Sequence, residues 1–313
     1  MRKKRRSSFG CLFVVILLIL LVMGLGWVWS VWAHIHEPQA EGEPPYVRDD
    51  DIVEEPGKTI TNILVLGLDQ RGEEKARADT IIVLSINQDT KEVAMISIPR
   101  DSRVEIPGRG LDKINHAYVY GGINLMRATV EKLLGVPIHH YVLTNFSGFV
   151  GLVDTLGGVT LNVERSLYVK AEKNYPAVKL EPGEQRLSGY EALAYVRFRK
   201  DSEGDFGRMR RQQQFLQAVA KEVLQPKSLL KLPQLAQQAA EYLRTDLPLS
   251  KALSLAQQAA SLNFDDVKAV TLQGTGRTIG GVSYVILDET YLQEVVEAYL
   301  RWQEPASLPA NEK

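Results

Sequence analysis

NILVLGLD (residues 62–69) is the first of three closely spaced apolar runs that decide the fold; the others are TIIVLSIN (80–87) and EVAMISIP (92–99). All three are rich in isoleucine and valine and have the length of strands, so they predict β-strands. The turn QDTK joins the second run to the third, which favours a hairpin. The centre of the fold is therefore expected to be a sheet.

Helical patterns and further strands surround this centre. Helical spacing of apolar residues occurs at 123–134, 146–156, 190–197, 207–224, 235–243, 250–262 and 289–302. Further strand patterns lie at 140–143, 159–163 and 267–272. Strands mixed with helices along one chain predict an α/β fold, specifically an α/β/α sandwich with a central mixed sheet.

The composition is that of a globular protein, with 313 residues of which 45% are apolar and 24% charged. Residues 2–6 are all basic, and without them the chain is mildly acidic. That balance argues against bulk nucleic-acid binding, which requires a broad positive surface, so no nucleic-acid partner is expected. The single cysteine, Cys11, excludes a disulfide within the chain.

An uncharged run at residues 9–33 predicts one N-terminal transmembrane helix. The basic tail at 1–8 places the N-terminus in the cytoplasm, and tryptophans at the far end would meet the outer headgroups. A cleaved signal peptide is the alternative. Residues 34–58 are polar and proline-bearing and are interpreted as an extracytoplasmic stalk. The body spans 59–303 and is followed by a tail at 304–313; both are expected outside the membrane.

Arginine and aspartate residues cluster where the three central strands begin or end. They are Asp69 and Arg71 after the first strand, Arg77 and Asp79 before the second, and Arg100 and Asp101 after the third. Ligands of open α/β sheets bind at such edges, so these charges predict a site. Surface ion pairing is the alternative interpretation.

A second cluster comprises Arg197, Arg199, Asp205, Arg208 and Arg211. Arg197 and Arg199 alternate, so in an extended segment they point the same way. Arg208 and Arg211 share a face of a predicted helix near its start, where the helix dipole disfavours cations. A bound anion would remove that conflict, because helix N-termini and arginines both suit phosphate. A solvated basic patch is the alternative.

Several common catalytic signatures are absent from the sequence. It has no Walker phosphate loop, no dinucleotide glycine fingerprint and no GxSxG elbow. Carboxylates beside many arginines instead suit metal-assisted phosphoryl transfer. Asp69 and Asp79 are hard oxygen ligands for Mg²⁺ beside a pyrophosphate. The arginines would neutralise charge on the leaving phosphate.

Five longer motifs occur in a fixed order along the chain. They are VLGLDQR, RADTIIVLSIN, SIPRDSRVEIPG, KINHAYVYGG and YVRFRKDSEGDFGRMRRQQ, with VDTLGGVTLNV and GEQRLSGYEALAY between them. In these motifs the chain resembles the LytR-CpsA-Psr family, and the resemblance covers residues 62–224. The resemblance implies a single-domain enzyme of the bacterial cell membrane, anchored by its N-terminal helix with the catalytic domain outside. Such an enzyme transfers a glycopolymer 1-phosphate from a polyprenyl diphosphate carrier to a peptidoglycan hydroxyl, on N-acetylmuramic acid, with Mg²⁺.

The resemblance also implies roles for individual residues. Asp69 and Asp79 would be the Mg²⁺ ligands, and Asp101 or Asp205 would orient or deprotonate the acceptor hydroxyl. The pyrophosphate clamp would be Arg71, Arg100, Arg197, Arg199, Arg208 and Arg211, of which Arg100 and Arg208 are also catalytic. Lys113 and Asn115 would support the site. The lipid tunnel would be lined by Phe146, Phe149, Val150 and Val153, for which core packing is an equal explanation.

Two other functions stay open at the level of sequence. A hydrolase that releases polyprenyl phosphate with water as acceptor would use the same site. A membrane-tethered glycolipid-binding or regulatory module would need no catalysis, and the tail at 1–8 is too short to hold a DNA-binding helix-turn-helix. The sequence does not determine which glycopolymer is moved.

Overall fold

The computed structural model describes residues 30–37, 52, 54, 56–69, 76–171, 175–229 and 231–303. Its strands are β1 (Ile60–Asp69), β2 (Arg77–Asn87), β3 (Val93–Ser97), β4 (Arg103–Ile106), β5 (Gly110–Lys113), β6 (His140–Asn145), β7 (Val159–Val163), β8 (Leu167–Val169), β9 (Val178–Leu180), β10 (Gly183–Leu187), β11 (Arg244–Thr245), β12 (Lys268–Thr271), β13 (Gly274–Ile279) and β14 (Val282–Leu287). Its helices are α1 (His116–Leu134), α2 (Phe146–Leu156), α3 (Gly189–Arg197), α4 (Gly204–Val223), α5 (Pro226–Leu229), α6 (Leu232–Tyr242), α7 (Leu249–Ala259) and α8 (Glu289–Val295). A 3-10 turn covers Phe264–Asp266, and a π-helical turn, Val296–Leu300, continues α8.

Six strands form one central sheet in the order β11-β6-β1-β2-β3-β12. β1 pairs antiparallel with β2, and β2 pairs antiparallel with β3, so the predicted hairpin between the second and third runs is confirmed. β6 joins β1 in parallel, and β12 joins β3 in parallel. The sheet is therefore mixed, as the sequence predicted.

Both faces of this sheet are covered. Alternation along β1 directs Leu64 and Leu66 to one face, where they pack with α1 and the C-terminal helical segment. Ile63 and Val65 point to the other face and pack with Leu255 of α7. Burying a side chain of this size contributes about 1.5–3 kcal/mol, so both faces stabilise the sheet.

A second apolar core lies beside the sheet, between α2, α3, α4 and the antiparallel pair of β7 and β10. β7 was predicted as a strand, but it pairs only with β10 among the described strands and stays outside the central sheet. Gln213 of α4 connects the two parts, because its buried Nε2 donates to the Val270 carbonyl at 2.7 Å and to Ser97 Oγ at 2.9 Å. These bonds fix α4 against β3 and β12.

The sequence patterns missed the hairpins β4–β5, β8–β9 and β13–β14. The strands of the last one are mostly exposed or half-buried, so they lack the apolar runs that marked the central strands. Its two-residue loop, Gly280 and Gly281, has positive φ at both positions, 56° and 81°. A Gly-Gly pair between alternating residues is the local signal that predicts such a hairpin.

Helix α1 begins seven residues before the predicted start at 123. Gly121 and Gly122 break its helical geometry, with φ values of −154° and 62°. The predicted helix is thus the part after this break. The part before it, which begins at His116, is turned away from the direction of the main helix and lies close to the edge of the sheet.

The predicted transmembrane helix and stalk fall only partly on described residues. Residues 30–35 are helical, and residues 9–29 of the predicted span lie outside the described part. No helix among the described residues has the length and apolar character that crossing a bilayer requires. The predicted stalk contacts the body at both ends. His36 forms a parallel bridge with Thr245 of β11, and Lys58 Nζ donates to the carbonyls of Arg301 and Trp302 at 2.9 Å.

Close packing between α2 and α3 gives a first stability prediction. A Cβ at Gly189 would lie 2.5 Å from the Val150 carbonyl oxygen and 2.9 Å from Asp154 Oδ2. We expect Gly189→Ala to lower the free energy of unfolding by about 1–3 kcal/mol, because the helices must separate. Gly276→Ala is the matched control, since nothing lies within 4 Å of its added Cβ. Urea unfolding measures both; equal stabilities would contradict the prediction.

Candidate active site

A cavity of about 620 Å³ lies at the edge of the sheet where β1 ends and β2 begins. The antiparallel pairing brings the end of β1, the start of β2 and the segment after β3 to this one edge. A β-bulge between Gly67 and Leu68 shifts the register at that point. Bulges redirect side chains beside active sites, and here the bulge precedes Asp69.

Basic side chains outnumber acidic ones in the cavity lining. The basic residues are Arg77, Arg100, Lys113, Lys170, Arg197, Arg199, Lys200 and Arg208. The acidic residues are Asp69, Asp79 and Asp101. Because the chain as a whole is slightly acidic, this excess is local, and it favours an anionic ligand. In the structure these charged residues converge at the strand ends, as the sequence predicted.

Arg100 is held by carboxylates from two directions. Its Nη1 lies 2.8 Å from Asp79 Oδ2, and its Nε lies 3.6 Å from Asp101 Oδ2. Burial lowers the pKa of Arg100, but the surrounding carboxylates, Asp79 foremost, outweigh burial and raise it overall. Asp101 is itself paired with Lys113 Nζ at 2.7 Å. Arg100 therefore stays charged in a fixed orientation.

Arg208 enters the same cavity from α4. Its side chain is 7% exposed, and its Nη2 lies 2.9 Å from Asp205 Oδ2. Burial, together with the positive charges of Arg100 and Arg199, lowers the pKa of Arg208 despite the Asp205 carboxylate. These cations repel one another, so the arrangement is incomplete without negative charge. A bound anion would restore it.

Buried donors without partners support the same conclusion. Nε of Arg100 and Nε of Arg208 are buried, and neither has a hydrogen-bond partner in the described part of the chain. Asn115 Oδ1 is also buried without a partner there. An unsatisfied buried donor costs about 1–3 kcal/mol. A phosphate or diphosphate oxygen would satisfy the two arginine donors.

The other end of the cavity is apolar. Residues of α2, α3, α4 and β9 line it, namely Phe149, Val178, Leu193, Ala194, Val196, Phe215 and Leu216. The rings of Phe149 and Phe215 stack at 4.4 Å. One cavity thus joins a charged end to an apolar end, which is the shape that a molecule with an anionic head and a hydrocarbon tail requires.

Arg197 and Arg199 both line the cavity, although Arg197 is the last residue of α3 and the two do not share one extended segment. The guanidinium of Arg197 lies 5.4 Å from the centre of the Tyr175 ring, in a cation–π arrangement. The segment that carries Arg199 follows the end of α3. Arg71 lies outside the described residues, so its predicted role stays a prediction.

The prediction that Arg211 belongs to the pyrophosphate clamp is wrong. Its side chain is fully buried and does not line the cavity. Nε donates to Glu164 Oε1 at 2.6 Å, Nη1 donates to the Phe198 carbonyl at 3.0 Å, and Nη2 donates to Asp201. Each of its three nitrogens donates to a protein group and the side chain is 0% exposed, so the guanidinium does not reach a ligand in the cavity. Its role is structural.

The prediction that Val150 and Val153 line the lipid tunnel is also wrong. Val153 is fully buried in the second core, and Val150 packs against that core; neither lines the cavity. Core packing, the alternative explanation, holds for both. Phe149 does line the cavity, and the side chain of Phe146 lies outside the described part. Asp205 does not line the cavity either; its carboxylate pairs with Arg208 and also helps to raise the pKa of Arg100.

Sequence reasoning missed several lining residues. His116, which directly follows the predicted supporting pair Lys113 and Asn115 in its motif, lies at the charged end. Tyr168, Tyr175 and Tyr190 also line the cavity, together with Lys170 and Lys200. The position of His116 in KINHAY was a usable signal. The tyrosines carried none, because β8 and β9 were not predicted.

The residues present fit a magnesium ion held by few protein ligands. Asp69 and Asp79 line one cavity, and carboxylate oxygens are the donors that Mg²⁺ prefers. Within the described residues, no group of three or more His, Cys, Asp and Glu side chains has the arrangement of a metal site. Mg²⁺ is commonly bound by one or two carboxylates plus waters and substrate phosphates, so two aspartates suffice.

Residues 32–300 match the family model described as the LytR_cpsA_psr family. Among curated proteins, the chain is similar to "Polyisoprenyl-teichoic acid--peptidoglycan teichoic acid transferase TagU" of Bacillus subtilis (strain 168). The two are 34% identical over 309 residues, which cover 95% of this chain and 97% of that protein.

Solved structures share the fold. The crystal structure of B. subtilis TagV superposes with a TM-score of 0.69 at 31% identity, covering 79% of this chain and 99% of that one. The structure of TagT bound to LI-WTA superposes with a TM-score of 0.67 at 32% identity, covering 84% and 98%. The α/β fold with its central mixed sheet therefore matches experimentally determined structures.

Proposed function

The chain belongs to the LytR_cpsA_psr family, and from this membership we propose that it transfers a teichoic-acid-type glycopolymer 1-phosphate from a polyprenyl diphosphate carrier to peptidoglycan. Relatives at 33% to 40% identity are named as teichoic acid transferases, so the chain is a transferase. The acceptor proposed is a hydroxyl of N-acetylmuramic acid.

One observation carries this proposal: a single cavity has an arginine-rich end and an apolar end. A diphosphate at the charged end would meet the unpartnered Nε groups of Arg100 and Arg208. A polyprenyl chain attached to it would extend along Phe149 and Phe215 at the other end. A free nucleotide or sugar phosphate would leave the apolar end unused.

The reaction breaks the bond between the glycan-side phosphorus and the bridging oxygen of the diphosphate. Negative charge grows on the departing polyprenyl phosphate, and Arg100 and Arg208 would neutralise it. Asp79 orients Arg100 through their 2.8 Å ion pair. Asp69 and Asp79 would hold Mg²⁺, which supplies further charge neutralisation on the diphosphate.

We propose in addition that residues 9–33 anchor the chain in the bacterial cell membrane, with the body on the outer side. The basic residues before this run and its uncharged length support the orientation. An anchor would keep the cavity near the bilayer in which a polyprenyl carrier resides.

The test uses the full chain in detergent with Mg²⁺, a polyprenyl-diphosphate-linked teichoic acid precursor and peptidoglycan oligomers. Release of polyprenyl monophosphate and formation of the phosphodiester-linked product are followed together. Equal amounts of both would support transfer. Carrier release without linked product would instead indicate the hydrolase, and tight carrier binding with neither product would indicate a binding module.

Asp79→Asn is expected to lower turnover about a hundredfold, because Arg100 loses its charged partner and the site loses a metal-binding carboxylate. The Mg²⁺ concentration for half-maximal activity should rise, while carrier binding is largely kept. Asp266→Asn, at an exposed aspartate outside the cavity, is the control. A variant with normal turnover and an unchanged Mg²⁺ dependence would contradict the assigned role of Asp79.

A further inference from the structure

His116 stands at the charged end of the cavity as the first residue of α1. It is the one histidine among the described residues that line this cavity, and its side chain is 33% exposed. Imidazole is the side chain whose proton exchange falls between about pH 5 and 8. The transfer proposed above releases a proton from the acceptor hydroxyl, so a group that can accept it at this end is required.

A carboxylate fixes the orientation of the imidazole. Nδ1 of His116 lies 3.0 Å from Oδ2 of Asp112. Burial raises the pKa of Asp112, but hydrogen bonds from the Tyr120 hydroxyl, His116 and the Lys113 backbone N–H outweigh burial and lower it. Asp112 is therefore ionised and can only accept hydrogen bonds, so Nδ1 carries the proton.

The same contact makes Nε2 the proton acceptor of the ring. With the proton on Nδ1, a neutral imidazole has its lone pair on Nε2. Within the described part of the chain, Nε2 has no hydrogen-bond partner. Tyr120 also braces the ring, because their rings meet edge-on at 5.9 Å and its hydroxyl donates to Asp112 at 2.7 Å.

The two aspartates considered from sequence are less suited to this task. Asp101 is engaged by Lys113 Nζ at 2.7 Å and by Arg100 Nε at 3.6 Å. Asp205 is engaged by Arg208 at 2.9 Å and does not line the cavity. Neither aspartate therefore presents a free acceptor atom to the cavity, as His116 does.

We propose that His116 is the general base of the transfer and that Asp112 is its positioning residue; the proposal rests on the function proposed above. The acceptor oxygen forms a bond to the glycan-side phosphorus while the bond from that phosphorus to the bridging oxygen breaks. Polyprenyl monophosphate leaves with the electron pair of that bond. The hydroxyl proton passes to Nε2 of His116, and the exposed imidazolium then returns it to water.

Several charged or titratable groups lie around the imidazole and its carboxylate partner. They are Asp112 and Lys113 of β5, Asp101 and Arg100 after β3, Tyr120 on α1, Arg109 between β4 and β5, and Tyr284 of β14. None of them is an assigned metal ligand. Because both cationic and anionic groups lie nearby, the role of His116 as a base is tested by the dependence of kcat on pH and not by the rate at one pH.

The experiment compares the full chain with its His116→Gln variant in the transfer assay. We expect kcat to fall about a hundredfold, as for loss of a general base, with carrier binding unchanged. The wild-type kcat should rise with pH through the imidazole range, and the variant should lack that rise. Added imidazole should restore part of the activity of an alanine variant. Lys132→Ala, at the far end of α1 in an ion pair with Glu105 at 2.9 Å, is the control.

Asp112→Asn is the second variant, and it leaves the imidazole in place. It should lower kcat because the tautomer is no longer fixed, while polyprenyl monophosphate still binds. If His116→Gln keeps the kcat and the pH profile of the wild-type chain, the proposal is overturned. If the wild-type chain itself forms no linked product, the proposed function fails instead, so the two failures are separable.

Discussion

Arg100→Ala is expected to lower the turnover of the transfer reaction about a thousandfold, the size of effect that loss of an arginine at a transferring phosphoryl group produces. Arg100 is fixed by Asp79 at 2.8 Å and presents a buried Nε without a partner in the described part of the chain. Charge growing on the leaving phosphate would meet this guanidinium. Removing it also leaves Asp79 unpaired, which weakens the site further.

The measurement is steady-state release of polyprenyl monophosphate, with carrier affinity determined separately. Arg100→Lys should recover little, because an ammonium cannot reproduce the two directions in which the guanidinium is engaged. Arg277→Ala provides the control, since Arg277 is exposed on β13 and does not line the cavity. If carrier affinity falls but turnover at saturation does not, Arg100 binds the carrier without acting in the reaction.

Arg211→Met is expected to lower the free energy of unfolding by about 3–5 kcal/mol, because it leaves buried charges without their partner. Arg211 is 0% exposed and Asp201 is 2% exposed, and Glu164 completes the ion pair at 2.6 Å. Arg210→Ala is the matched control. Arg210 is the neighbouring residue and is 38% exposed; it pairs with Glu203 at 3.0 Å and, at the longer distance of 3.5 Å, with Glu164, so the expected change is at most about 1 kcal/mol.

The same network has a defined pH dependence. Burial raises the pKa of Asp201 and of Glu164, but bonds to Arg211 and to backbone N–H groups outweigh burial and lower both from their ordinary values of 3.8 and 4.5. Carboxylates with lowered folded-state pKa values stabilise the fold above those ordinary values and lose that contribution as pH falls through the folded values. The stability gap between wild type and Arg211→Met should therefore narrow below about pH 4. If the difference in stability between the wild type and Arg211→Met does not change with pH, the ion pair is not the source of that difference.

The central sheet could be predicted because its strands are buried on both faces and therefore appear as continuous apolar runs. The hairpin of β13 and β14 could not be found in that way, since its residues are mostly exposed and only its Gly-Gly loop marks it. The part of α1 before Gly121 and Gly122 was likewise missed, because the predicted helix began at 123, directly after the two glycines.

The site was predictable where the residues follow the ends of strands. Asp69, Asp79 and Arg100 converge because antiparallel pairing brings those ends together. Helical spacing put Arg208 and Arg211 on one face, yet only Arg208 reaches the cavity. Arg211 donates to Glu164, which is 47 residues away in sequence, so no local sequence pattern predicts this contact.

If residues 9–33 anchor the chain as proposed, the contact between His36 and Thr245 would limit how far the body lies from the bilayer. The proposed anchor ends at Ala33, and the backbone of Glu37 already donates to the Thr245 carbonyl at 2.7 Å. Three residues span at most about 11 Å, so little slack separates the two. Because the chain is already held to β11 at His36, the length of the segment after this contact would not change the height of the cavity. The orientation of the sheet edge, and not the length of a tether, would set the depth at which a membrane-embedded lipid is met.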